Sequence, residues 1–501
     1  MSKILLFNPK SANAKHRIPN AILSIAASIE GRYDWVIVDG NCDLDPVATI
    51  LSYIGQGDLK YVGITVMPGP QLKGAIAASK AVKEQYPEVT IIWGGYFPTN
   101  HPGPTLNSGY VDFVINGPGD YAFPRLIDAL ESNAPYELIK NLIYLDPAGK
   151  VKKTPKEDLI EQDTLPALPY DKLNGFYNIR KHYLGKTYLG EKTMAYHSSI
   201  GCPFTCSFCA VVPTYEARWK AKSAQRTYND IKYIKDNWGA DAIEFHDNNF
   251  FVSEKRTVEF CKLIGKEKMK WWGMARIDTM SRFKDESLAA MRDAGCTMIF
   301  FGAESGNDAV LQQLDKGGTQ TGKQIIEFAE RLKQFDIIPE YSFVLGTPAP
   351  TPEQVQAQID FDLHFIKKVK AVNPNTEIVM YTYSPVPMEG SEMYKQVLAS
   401  GFSFPKTLED WISPAWENFD LRKNPLTPWL KPEMIDRIRN FETVLNGVYP
   451  TATDIRLNTL KKRALKLVAG LRYKVNLYNY PYEIKLLHKV WRYRQPEIQG
   501  F

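Results

Sequence analysis

Short runs of consecutive apolar residues alternate, over the first 130 positions, with longer stretches in which apolar residues recur at helical spacing. The runs Ile4–Phe7, Trp35–Val38, Tyr61–Ile64, Val89–Trp93 and Phe113–Ile115 read as strands, and the stretches near 20–30, 46–54, 71–86 and 120–131 as helices. Uninterrupted apolar runs suit strands covered on both faces, and their alternation with helices predicts βαβ units on a parallel sheet. The expected fold of residues 1–135 is a doubly wound, Rossmann-like α/β domain with its ligand beyond the C-terminal strand ends.

Residues 136–190 break this rhythm with turn residues, charge and Leu165-Pro166-Ala167-Leu168-Pro169, which predict an inter-domain linker with a short hairpin, Leu142–Leu145 and Val151–Lys153. A second series then begins, with strands expected at Met194–Ser199, Ala242–His246, Trp271–Ala275, Met298–Gly302, Glu340–Leu345 and Glu377–Tyr381. Six βα units predict a partial (β/α)6 barrel of the TIM type over 191–395, with its chemistry at the C-terminal strand ends. Residues 396–501 read as a helical region.

Composition agrees with this division. A chain of 501 residues, 44% apolar and 23% charged, suits a folded protein of roughly three domains. No apolar run reaches the roughly 18 residues that span a bilayer. Ile4–Phe7 is too short for the core of a signal peptide, and six cysteines are too sparse for a disulfide framework. A cytoplasmic location is expected.

The net charge of +5 is unevenly placed, because 456–494 holds eleven Lys/Arg against Glu483 alone. There Leu457, Leu460, Ala464, Leu467, Val468 and Leu471 fall on one helical face, with Lys461, Lys462, Arg463 and Lys466 on the other. Tyr473, Tyr478, Tyr480, Tyr482, Trp491 and Tyr493 follow among further basic residues. Two readings stand: a helix packed on the barrel with a solvated cationic face, or peripheral contact with an anionic membrane surface through 456–494. No nucleic-acid module is recognisable, so nucleic acid is not an expected partner.

Three of the six cysteines share one loop directly after the first strand of the second series: Gly201-Cys202-Pro203-Phe204-Thr205-Cys206-Ser207-Phe208-Cys209. Closely spaced thiolates are soft ligands for iron–sulfur clusters or zinc. Three cysteines would leave one iron of a four-iron cluster open; zinc would need a fourth ligand such as His197. Zinc sites ordinarily use paired arms separated by a longer loop, which favours the cluster. Cys261 and Cys296 stand alone and read as small buried thiols, and His246 as a core histidine.

With an aromatic before its last cysteine, this C-x₃-C-x₂-C loop resembles the signature of the radical S-adenosylmethionine (SAM) superfamily. Glu244-Phe245-His246-Asp247-Asn248-Asn249, Ala275-Arg276-Ile277-Asp278, Gly302-Ala303-Glu304-Ser305-Gly306 and Leu345-Gly346-Thr347-Pro348 follow at the expected strand ends. The resemblance implies a [4Fe-4S] cluster on Cys202, Cys206 and Cys209, whose open iron chelates SAM and whose electron cleaves it to a 5′-deoxyadenosyl radical. It also implies an external electron donor such as flavodoxin or ferredoxin. By the same resemblance Glu304 and Ser305 contact the ribose or aminoacyl part of SAM, and Asp247 and Arg276 line the cleft.

Two glycine motifs sharpen the first domain: Gly94-Gly95-Tyr96-Phe97-Pro98-Thr99 after one strand and Asn116-Gly117-Pro118-Gly119-Asp120 after the next. Upstream of a radical SAM core they resemble the cobalamin-binding domain of B12-dependent radical SAM proteins, with Gly94, Gly95, Pro98, Thr99, Gly117 and Gly119 as cofactor-binding positions. The usual Gly-Glu-Gly-Glu form is replaced here by Gly117-Pro118-Gly119-Asp120. The Asp-x-His-x-x-Gly loop that ligates cobalt in other cobalamin proteins is missing, and nearby His16 reads as a surface residue. Cobalamin is therefore expected without a lower histidine ligand. The methylating branch implies C-methylation of an unactivated carbon, by way of methylcobalamin, on a hydrophobic or natural-product small molecule. The alternatives are a non-methylating rearrangement or oxidative cyclisation like that of the anaerobic porphyrin cyclases, a cobalamin sensor, and a zinc-stabilised scaffold.

Overall fold

The computed structural model describes residues 3–11, 17–315, 319–388, 391–419, 421–451 and 457–491, and in it two sheets follow one another along the chain. His16, Arg456, Arg492, Tyr493 and Arg494 lie outside the described residues.

The first sheet runs, edge to edge, Asp34–Asp39, Lys3–Asn8, Leu59–Thr65, Thr90–Gly94, Phe113–Ile115, Leu142–Leu145 and Val151–Lys153. Its first five strands are parallel and its last two antiparallel. Strand order reverses between Lys3–Asn8 and Leu59–Thr65, the point at which open α/β sheets bind ligands. Side chains alternate between the two faces: Ile4 and Leu6 enter one apolar cluster, Leu5 and Phe7 the other. The hairpin read within the 136–190 segment is the far edge of this sheet. It pairs Leu142 with Ile115, and its fully buried Leu142 and Ile143 would meet water in a free-standing hairpin.

The second sheet is parallel throughout, in the order Thr193–Tyr196, Ala242–Phe245, Lys270–Ala275, Cys296–Glu304, Ile338–Leu345 and Glu377–Thr382. Consecutive strands are neighbours, as a partial barrel requires. Local sequence sets the intervening helices. Thr321 with Gln324 and Thr351 with Gln354 form capping boxes at the starts of Gly322–Lys333 and Pro352–Val372. Gly239, in the left-handed region, ends Ala224–Trp238.

One apolar cluster runs from the first sheet into the barrel, so the two domains share a core. The region after the last barrel strand straps both. Trp411 packs its ring 5.1 Å from Phe97 and 4.5 Å from His101, while Trp429 Nε1 donates to the Gly346 carbonyl at 2.9 Å.

Packing of the C-terminal helix Thr459–Lys474 reverses the expected stripe. Leu465 and Ala469 are its buried side chains, whereas Leu460, Leu467 and Leu471 are 77%, 82% and 71% exposed. The cause is close helix contact: Gly447 has no Cβ, and one placed there would lie 2.6 Å from Ala469 Cβ. A small pair lets the backbones approach, and a leucine at that seam would hold them apart. Among the described residues no helix is long and apolar enough to cross a membrane.

Candidate functional site

The cysteine loop is built by what surrounds it. Strand Thr193–Tyr196 ends at a bend, after which Ser199–Gly201 pairs antiparallel with Trp219–Ala221 and closes the base of the loop. Gly201 has φ +74°, and any Cβ there would run into the Arg218 carbonyl, so glycine is required before Cys202. Asp247, fully buried, accepts from Ser198 N at 2.7 Å and from the Ser198 and Ser199 hydroxyls at 2.6 Å each. Those contacts tie it to the loop's base, so it acts as a tether for the cysteines. Arg256, which sequence reading missed, grips the same segment. Its guanidinium donates to Ser198 Oγ at 2.6 Å and to the Lys222 carbonyl at 2.7 Å. Its sequence signal is position: Arg256 lies four and eight residues before Phe260 and Ile264, on the apolar face of its helix.

The three sulfurs lie within electrostatic reach of one another. Burial pushes the Cys209 thiol up to about 12, with Cys206, Cys202 and Glu304 adding to the rise, and burial also raises Cys202. Thiols held this way ionise when a cation joins them, which is how metal binding couples to proton release. Among the described residues no three His, Cys, Asp or Glu side chains converge at ligand distance.

Arg276 donates through Nη1 to Cys206 Sγ at 3.0 Å, lies 3.8 Å from the Phe204 ring centre, and is held by Asp278 at 3.0 and 2.7 Å. Asn249 approaches Cys202 Sγ at 4.0 Å, and its buried Oδ1 has no hydrogen-bond partner. An orphaned acceptor beside a ligand cysteine fits a bound group carrying N–H or O–H donors, and three soft thiols on one loop fit a cluster with one open iron.

Glu304 stands at a bulge where strand register shifts, with φ +62°, a left-handed backbone that non-glycine residues rarely adopt. The strain is held from two sides. Gln320 Nε2 donates to the Gly302 and Ala303 carbonyls at 3.1 and 3.0 Å. Asp362 accepts from Ser305 Oγ at 2.8 and 2.9 Å and from Gly306 N at 2.7 Å. Ser305 therefore anchors the turn, and Glu304 is the side chain of that turn near Cys209. Strain retained at a strand end is a mark of function.

On the first sheet, Gly95 (φ +94°) is pressed against the end of the neighbouring strand, where a Cβ would lie 3.1 Å from Thr65 Oγ1 and 3.2 Å from Val66 N. Pro98 and Thr99 are buried. Thr99 Oγ1 donates to the Ile115 carbonyl at 3.3 Å and accepts from Gly117 N at 3.2 Å, linking the two glycine motifs. Gly117 (φ +101°) packs on the Thr214 carbonyl and Gly119 on Ile25. Gly94, Gly95 and Thr65 thus sit together at the C-terminal ends of neighbouring strands, while Thr99 ties the Gly117 motif to them.

Thr214 belongs to the short helix Val211–Tyr215 that follows the cysteine loop, so the glycine edge of one domain faces the cysteine loop of the other. Tyr96 stands between them. Burial raises its phenol, with a further contribution from Cys209. His101 packs among Phe97, Phe404 and Trp411, and burial lowers it to about 3, so it stands in an aromatic core and not at the ligand edge.

His197, the fourth ligand a zinc site would need, is drawn across the domain interface to Asn20 Nδ2 at 3.2 Å. His246 lies between Glu244, 3.4 Å away, and the Trp272 ring at 5.6 Å, and Arg17 of the first domain pairs with Glu244 at 2.8 Å. Cys261 and Cys296 are buried in the core.

Two family models match the chain in the order in which the domains fold: the B12 binding domain over 15–127 and the radical SAM superfamily over 196–361. An uncharacterised methyltransferase of Pyrococcus horikoshii is 29% identical over 369 residues, 72% of this chain and 77% of its own. Cytidylyl-2-hydroxyethylphosphonate methyltransferase of Streptomyces wedmorensis is 22% identical over 458 residues, 81% and 83% of the two chains. Among solved structures, the cobalamin-dependent SAM radical enzyme OxsB, with aqua-cobalamin bound, superposes with a TM-score of 0.72 over 98% of this chain and 75% of its own, at 16% identity, a likeness of fold. A B12-binding sheet and a radical SAM barrel joined edge to cysteine loop place this chain in the family of cobalamin-dependent radical SAM enzymes, whose cofactors are a [4Fe-4S] cluster, SAM and cobalamin.

Proposed function

We propose that the protein is a methyltransferase that methylates an unactivated carbon of a hydrophobic or natural-product small molecule, drawing electrons from an external donor of the flavodoxin or ferredoxin type. One observation carries the reading: the glycine edge of the B12-binding sheet packs on the helix that follows the three cysteines, through Gly117 and Thr214. That contact brings the glycine motifs and the cysteine loop to one inter-domain face beside Tyr96, where both cofactors would meet one substrate. Two relatives named as methyltransferases, each spanning more than two thirds of the chain, support it. When bound, the cluster, SAM and cobalamin supply reductive SAM cleavage and a transferable methyl group.

The chain's own residues hold and orient these groups. Cys202, Cys206 and Cys209 ligate the cluster through three thiolates. Arg276 places a cation against Cys206 and favours added negative charge at that position. Asn249 and Glu304 face the SAM side, one offering an acceptor beside Cys202 and the other a carboxylate near Cys209. Asp247, Arg256 and Asp362 fix the loops that present them. Gly94, Gly95 and Thr65 would give cobalamin close access to the sheet edge, and the sequence carries no Asp-x-His-x-x-Gly loop to ligate cobalt.

The test is anaerobic purification with cluster reconstitution, followed by cobalamin, a reductant and SAM labelled in its methyl group. Corrinoid retention, 5′-deoxyadenosine and label in a product carbon are expected. Deoxyadenosine without label transfer replaces methylation by cyclisation or rearrangement. Absence of both corrinoid and deoxyadenosine overturns the reading, and one equivalent of colourless zinc would establish the scaffold instead.

A further inference from the structure

The C-terminal helices are apolar on two opposite sides. Leu465, Ala469 and Ile484 face the protein. On the other side Leu460, Leu467 and Leu471 recur at i, i+7 and i+11, a single line along Thr459–Lys474, and all three are more than two thirds exposed. Val475 and Leu477, just past that helix, and Leu486 and Val490 on the next, Tyr482–Val490, are also 50–65% exposed. Isolated exposed leucines need no explanation, but a contiguous row does.

Charge decides between occupants. Residues 457–491 hold eight Lys/Arg against Glu483, and Glu483 is itself paired with Arg472. By helical spacing Arg463 and Lys474 flank the leucine line on one side and Lys461 on the other. A second copy would press one cationic face on another. Tyr480 and Tyr482, stacked at 5.9 Å and 68% and 67% exposed, stand beside this face, the kind of ring that settles at the head-group level.

We propose that this face lies on an anionic lipid bilayer. The leucines enter the acyl boundary, the lysine stems lie along them, and the ammonium and guanidinium groups meet lipid phosphates. Docked in this way, the enzyme rests on the surface without spanning it.

Flotation of the reconstituted holoenzyme with vesicles tests this. Vesicles of equal parts phosphatidylglycerol and phosphatidylcholine should carry the protein, and phosphatidylcholine alone about tenfold less of it. About 0.5 M salt should release it from the anionic vesicles, since charges at that distance are screened. The double substitution L467Q/L471Q should cut anionic binding about tenfold. Iron content and oligomeric state should be unchanged in that variant, which shows that it still folds. No flotation with anionic vesicles overturns the proposal, as does equal flotation of the variant. A wild-type dimer that L467Q/L471Q converts to monomer also overturns it and makes the face a contact between copies.

Discussion

Replacing Asp362 by asparagine tests how the Glu304 turn is held. Burial pushes the Asp362 carboxyl from an ordinary 3.8 up to about 7, although the Gly306 N–H and the Ser305 hydroxyl pull it back. Between about pH 4 and 7 the folded protein therefore keeps a proton that the unfolded chain releases. This contribution is complete below that window, declines as pH rises through it, and is gone above it. Three units at 1.36 kcal/mol each set a ceiling of about 4 kcal/mol. The amide of D362N is neutral at every pH and retains an oxygen for Gly306 N. The stability of D362N minus that of wild type should then rise with pH across the window and level off above about pH 7. Urea unfolding of both proteins from about pH 4.5 to about 7.5, read by tryptophan fluorescence, measures it, and the subtraction cancels the other titrating groups. A difference that is flat in pH, or that falls, refutes the argument. D362A, by contrast, leaves the Gly306 N–H and the Ser305 hydroxyl without their acceptor and should be about 2–5 kcal/mol less stable than D362N, by the same amount at every pH.

Asp278→Asn removes the carboxylate that offsets Arg276 beside Cys206. The cluster's midpoint potential should rise by on the order of 50 mV in an EPR-monitored redox titration, and an unchanged or lower potential argues against this role for the pair. Asn249→Ala deletes the orphaned acceptor next to Cys202, so SAM should bind roughly five- to tenfold more weakly by equilibrium dialysis with iron content unchanged. Gly201→Ala drives a Cβ into the Arg218 carbonyl at a positive φ, and reconstituted protein should hold less than about a third of the wild-type iron.

Much of this protein was legible before folding. Every strand of both series falls within a residue or two of its apolar run, except that Met194–Ser199 bends after Tyr196. The hairpin strands Leu142–Leu145 and Val151–Lys153 match residue for residue, because these segments are short, covered and bounded by turns. The motifs stood out for the same local reason: three thiols in eight residues and paired glycines after strands are patterns of near neighbours in the chain. Individual side-chain roles were not legible. Ser198 meets Asp247 across 49 residues and Ser305 meets Asp362 across 57, and no local pattern reports such partners. Thr99 and Ser305 therefore belonged to motifs in the sequence and became tethers in the fold.

The C-terminal helix marks the boundary most plainly. Its sequence determined that apolar residues fall in a line and that the surrounding charge is positive. Periodicity states which side chains share a face, but it is silent on which face meets the protein. That choice fell to Gly447, which has no side chain, and Ala469, which has only a methyl: together they let two backbones approach and so turned Leu460, Leu467 and Leu471 outward. The sequence thus determined the two sheets, the cysteine loop and the chemistry of each motif. Only tertiary packing decided which residues of those motifs are taken up as tethers, because contact across dozens of residues depends on shape complementarity that no local period encodes.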